Sequence, residues 1–306
     1  MISSIFNKTK PINFIVIAAY LFVYILISHY AVFHTIPSFH TIALAFLILA
    51  LLMSTVFLIN LVSKQNQLSE NNAYIMVLFV LCLSLFPQVF TAKNTILAHI
   101  FVLLSFGRLL SLKDRPATKQ KIFEATFWIC IASLFYSWAV LYLVLVYTAI
   151  VLYDPRNYKN WLIPLTAILA AGTLRYTYFL WFEEDRDLAQ LFSFNIQLQQ
   201  LEFTQYFSPF LFLCTISLIA LFSYSTNAIK KRVRKQFSDL LMVIALFIGL
   251  CMALFCKGNE EETSVLFMLF PVSVLFSHYL ERLKKKWVKE SFLWLLLLMP
   301  VVFLLL

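Results

Sequence analysis

The Lys and Arg residues of this chain fall almost entirely in every second gap between long apolar runs. The runs lie at about 12–33, 41–63, 73–88, 95–112, 122–136, 138–153, 161–182, 208–226, 239–256, 264–281 and 291–306. Of the 24 Lys and Arg, all except Lys93, Arg175, Arg186 and Lys257 fall on the same side as the N-terminus. Membrane insertion imposes such a bias, because basic residues next to a span stay in the cytoplasm. The alternation therefore predicts a polytopic protein with its N-terminus inside and its C-terminus outside. Its basic inner loops are 113–121, 230–235 and 282–289.

Composition decides between the two structures that can cross a bilayer. The chain is 62% hydrophobic and only 13% charged, with a mean hydropathy of +0.85, far from a soluble domain. The runs are long and continuous rather than short and alternating, which predicts helices and not a barrel. About 20 apolar residues cross a bilayer, and most runs qualify. The expectation is an all-α transmembrane bundle of eleven helices, forming one polytopic membrane domain over 1–306 in a bacterial inner membrane. The fifth and sixth runs are the shortest, with only Ser137 between them. If they dip in as a hairpin, the count falls to nine and the sidedness is unchanged. Lys8 and Lys10 precede the first run with no small-residue cleavage site, which reads as a signal anchor. The net charge of +9 sits beside the spans, where it suits anionic lipid and not nucleic acid. The five Cys show no CxxC spacing, so neither a disulfide framework nor a zinc site is expected.

Charge within a bilayer is costly and marks function when it occurs. No run carries a carboxylate near its middle, since Glu124, Asp239 and Glu281 all lie close to inner ends. That argues against an ion-coupled carboxylate relay. Arg175 lies within the seventh run, about two turns before the acidic stretch EEDRD. From there its guanidinium reaches the outer headgroup level and can clamp a phosphate. Candidate catalytic groups are Glu183, Glu184 and Asp185, with Arg175 and Arg186 as substrate-binding cations. After them Leu191, Phe194, Leu198 and Leu201 form a helical stripe, which predicts an interfacial amphipathic helix over about 188–203, within the outer loop 183–207. This helix is a lid over the site or a passive connector. His29 and His99 fall near one depth on different runs and are the weak candidates for a metal or haem. No cofactor is identified, and no phosphate loop, GxSxG or HExxH motif occurs.

Two segments carry a resemblance. LFPQVFTAKNTILAHIFVLLSFGRLLSL (Leu85–Leu112), followed by Lys121–Trp161, resembles the middle helices of GT-C-type polyprenyl-phosphate-sugar glycosyltransferases. NEEETSVLFMLFPVSVLFSHYLE (Asn259–Glu281) resembles their penultimate helix. The likeness implies a polyprenyl- or lipid-linked glycan, bound or processed at the outer leaflet, and a catalytic carboxylate in the first outer loop. That loop here is HTIPSFH and has none, which moves the implied chemistry to Glu183, Glu184 or Asp185. Over nearly its full length the chain also resembles a family of flavobacterial polytopic membrane proteins with no established activity. The opening MISSIFNKTKPINF and the segment FWICIASLFY carry that likeness. Two other classes remain open: a non-catalytic subunit of a membrane complex, and a lipid or small-molecule transporter.

Overall fold

The computed structural model describes residues 6, 10–33, 39–69, 72–114, 117–181, 207–225, 233–255, 263–283 and 285–305. Among them the fold is all-α, 91% helical and without strands. Eleven α-helices follow in order: α1 Pro11–Phe33, α2 Phe39–Gln65, α3 Tyr74–Leu83, α4 Lys93–Leu110, α5 Thr118–Phe135 and α6 Leu143–Tyr153, then α7 Tyr158–Trp181, α8 Phe207–Ser225, α9 Val233–Phe255, α10 Leu266–Arg282 and α11 Lys286–Leu305. Five of them, α1, α2, α4, α9 and α10, carry segments long and apolar enough to cross a membrane. The centre is α10, whose apolar segment is 94% buried against 28% for that of α2.

The run at 73–88 is not one helix. Phe86 precedes a proline, which disfavours the helical region, and it sits at φ −124°, ψ 83°. Helix α3 stops at Leu83, and Pro87 instead opens a 3-10 turn, Pro87–Phe90. At about 15 Å, α3 is half a bilayer long, and every one of its residues is buried. A helix ending inside the core must find partners for its last carbonyls. Here all are found. Backbone N–H groups of Ser84, Leu85 and Phe86 take Val80, Cys82 and Leu83, while Ser84 Oγ donates to the Leu81 carbonyl. Tyr24 of α1 then donates its hydroxyl to the carbonyl of Ser84.

The fifth and sixth runs are two helices, α5 and α6, joined as a hairpin by a short turn. Tyr136, in extended conformation (φ −140°, ψ 104°), ends α5, and a 3-10 turn Ser137–Tyr142 leads into α6. The hairpin tip packs on the start of α10, where a second break is repaired. Pro271 has no N–H for the carbonyl of Phe267, four residues earlier. The fully buried Tyr142 supplies the missing donor, its hydroxyl 3.0 Å from that carbonyl.

Contacts distant in sequence sort the helix ends into two sets. One end joins Phe6 to Ala73 and Lys113 to Asn66, as well as His278 to Leu68 and Tyr153 to Ser238. The other joins Thr95 to Thr263, Tyr24 to Phe90, Tyr136 to Phe267 and Phe212 to Phe303. The first set holds the loops that the charge pattern assigned to the inside.

Candidate functional site

Helix α7 carries Arg175, one of the site residues that the sequence singles out. Its packed stripe runs through the buried Asn160, Pro164 and Ala167 to the half-buried Ala171 and Arg175. Steps of three and four along this stripe keep one face against the bundle. The opposite face is apolar and exposed, through Leu162, Leu165 and Leu169. Exposed aromatic residues mark both ends, Tyr158 and Trp161 at the start and Tyr176, Tyr178 and Trp181 at the finish. Among the described residues of this stripe Arg175 is the last, and exposed aromatic residues follow it. A helical side chain leans back over the preceding turn. The turn beneath Arg175 is Ala170, Ala171 and Gly172, and a methyl group added at Gly172 would meet nothing within 4 Å. Small residues thus form the turn before Arg175, whose guanidinium is of the kind that holds a phosphate by two parallel hydrogen bonds.

The remaining outer candidates, Glu183, Glu184, Asp185 and Arg186, lie outside the described residues, as do the stripe over 188–203 and the loop Lys257–Glu262. His29 is on α1, with its side chain likewise outside the description. His99 is inside the bundle and 1% exposed. Its ring stacks on Phe79 (centroids 5.6 Å apart) and meets Phe267 edge-on. Among the described residues no group of three or more His, Cys, Asp or Glu is placed to hold a metal. Cys82, Cys130, Cys214 and Cys251 are free thiols.

A second polar cluster sits at the opposite end, and the sequence reading passed over it. His278 near the end of α10 bonds through Nε2 to the carbonyl of Leu68, which only accepts, so Nε2 carries a proton. Its Nδ1 faces Oδ1 of the buried Asp239 on α9 at 3.7 Å. One turn on, Glu281 accepts from Asn72 Nδ2 at 2.6 Å, and Lys289 of α11 lies over the ring of Tyr74. Beside Asp239, Ser238 pairs with Tyr153. These groups tie α3, α6, α9, α10 and α11 together. Nε2 is spent on the backbone, so the His278–Asp239 pair is arranged to brace helices rather than to act on a substrate. In sequence the only sign was a titratable residue within two turns of a basic loop on each of two runs, a position where lone charges are common.

A model for a family of unknown function, DUF6427, matches residues 4–306, nearly the whole chain. The chain belongs to this family. No curated protein and no solved structure matches it. For this DUF6427 chain, then, the site has to be read from its own chemistry: one guanidinium at the rim of an apolar, aromatic-ended helix, and a buried polar brace at the other end.

Proposed function

We propose that this is a multi-pass protein of a bacterial inner membrane that holds the phosphate of a polyprenyl- or other lipid-linked glycan at the outer leaflet. The observation that carries this reading is the position of Arg175. It is half-buried on the packed face of α7, after the small-residue turn Ala170, Ala171 and Gly172 and within a turn or two of the exposed Tyr176, Tyr178 and Trp181. A guanidinium at headgroup depth suits the phosphate that links a glycan to its lipid. The N-terminus lies in the cytoplasm and the end of α11 outside, with α3 and the Pro87–Phe90 turn together making the third pass and the α5–α6 hairpin returning the chain to the inner side. On this reading Glu183, Glu184 and Asp185 supply the acid or base if the glycan is processed, Arg186 adds a second cation, and the 188–203 helix covers the site. The GT-C-like order of a Pro-containing outer turn, a return helix and an apolar hairpin points to the same substrate class.

The test compares the envelope glycan profile of Arg175→Ala and Arg175→Lys strains with that of a deletion strain. The alanine variant should reproduce the deletion profile. Lysine, a point charge without the two-pronged geometry, should restore it only in part. An unchanged profile in Arg175→Ala, where deletion alters it, removes the reading. Purification with a partner in fixed stoichiometry would then identify a non-catalytic subunit of a complex, and counterion-dependent uptake into liposomes a transporter.

A further inference from the structure

The corner between α10 and α11 sorts its charges by sign. Both signs are interleaved in sequence, from Glu281 through Arg282, Lys284, Lys285 and Lys286 to Lys289 and Glu290. In the structure the carboxylates turn inward. Glu281 bonds Asn72, and Glu290 is half-buried with one oxygen enclosed. Lys289 also turns in, over Tyr74. Arg282, Lys285 and Lys286 face outward and are exposed. Among them stands Trp287, 87% exposed, the most exposed of the large apolar residues described.

An indole has no reason to stand in water beside three cations. Its position along α11 supplies one. Trp294, Leu298 and Val301 follow it at seven, eleven and fourteen residues, all exposed, so Trp287 is the first member of the apolar outward stripe of that helix. The stripe would face acyl chains, and the cations lie just beyond it. Trp at the seam with Lys and Arg outside is the arrangement that a negatively charged headgroup layer fits, with indole at the boundary and ammonium groups on phosphate.

We propose that the α10–α11 corner is a docking site for anionic phospholipid of the inner leaflet, with Trp287 as interfacial anchor and Arg282, Lys285 and Lys286 as phosphate contacts. A protein partner fits the same surface less well, because the stripe continues along the length of α11. The site rests on the inward placement of this end and is independent of Arg175.

The full chain is reconstituted in vesicles of phosphatidylcholine alone or mixed with phosphatidylglycerol, and bound lipid is counted after mild detergent extraction. Brominated lipid serves as a depth-sensitive quencher of tryptophan emission. The wild-type protein should retain phosphatidylglycerol over phosphatidylcholine. Arg282→Gln, Lys285→Gln and Lys286→Gln together should weaken that retention, by about fivefold for each charge removed. Trp287→Phe should remove a brominated-lipid-quenched share of the emission. Lys10, Lys119 and Lys159 are exposed cations of the same end and serve as the control. Changing those three to Gln should leave most of the preference in place. Equal losses in both triple variants would reduce the effect to overall charge and overturn the site. An unquenched Trp287 would place the corner in water and overturn it too. Neither result touches the Arg175 reading, which is scored on the glycan profile.

Discussion

Single atoms set how closely α9 and α10 approach each other. At Gly249 of α9, an added Cβ would stand 2.9 Å from the backbone Cα of Met268 on α10. Real Cβ atoms do not approach so near, and a backbone atom cannot swing aside. Small residues serve this purpose in membrane bundles, where backbone approach itself yields the packing energy. Gly249→Ala gains about 1 kcal/mol of helix propensity but forces α9 and α10 apart, which costs about 1–3 kcal/mol. The clash should win, because α10 is the bundle's centre and has no room to move. The expected outcome is a lower midpoint in thermal unfolding of the detergent-solubilised protein. Gly172→Ala has open space instead and should leave that midpoint unchanged or raise it. Equal behaviour of the two variants would sink the close-approach account. The contrast was not legible in the sequence, where both are single glycines within apolar runs.

At the level of elements, Pro87 and Pro271 leave backbone carbonyls without a helical donor, and in both places a tyrosine from another element supplies one. Tyr24 caps the carbonyl left after α3 ends before Pro87, and Tyr142 caps the carbonyl that Pro271 leaves open in α10. The prolines were visible in the sequence. Their partners were not, because Tyr142 lies 125 positions from Phe267 and hydropathy has no term for such a pairing. The same holds for Asn72 with Glu281 and for His278 with Leu68. A buried carbonyl deprived of its donor costs about 1–3 kcal/mol. Tyr142→Phe should therefore destabilise the protein by that order. In Pro271→Ala the restored N–H of residue 271 can serve the Phe267 carbonyl, so the Tyr142→Phe cost should shrink in that background. A double-mutant cycle on thermal or denaturant unfolding measures the coupling. Additive losses would mean that the tyrosine fills space and does not replace the proline's missing donor.

For the whole molecule, the all-α fold and its long apolar helices were legible in the sequence, because hydropathy is a property of order along the chain and needs no pairing rule. The contacts at the two ends of the bundle give the charge alternation a physical counterpart. Phe6, the connection after α2, the ends of α4, α6 and α10 and the starts of α3, α9 and α11 meet at one end, where most of the described Lys and Arg lie. Thr95, Thr263, Phe90 and Phe303 mark the other. Arg175 was readable as a candidate, a cation out of place in an apolar run, whereas the exposure of the small-residue turn before it is visible only in the structure. If cytoplasmic Lys and Arg set the orientation, the basic end is inside and α11 carries the chain out. A reporter active only in the periplasm should then be active when fused after Leu306 and silent when fused after Lys235. Moving charge should move the outcome in a definite direction. Neutralising Arg282, Lys285, Lys286 and Lys289 together removes the retention signal before α11, so the share of active Leu306 fusions should fall. Activity after Lys235 and silence after Leu306 would invert the molecule and place Arg175 on the cytoplasmic face, where no outer-leaflet glycan could reach it.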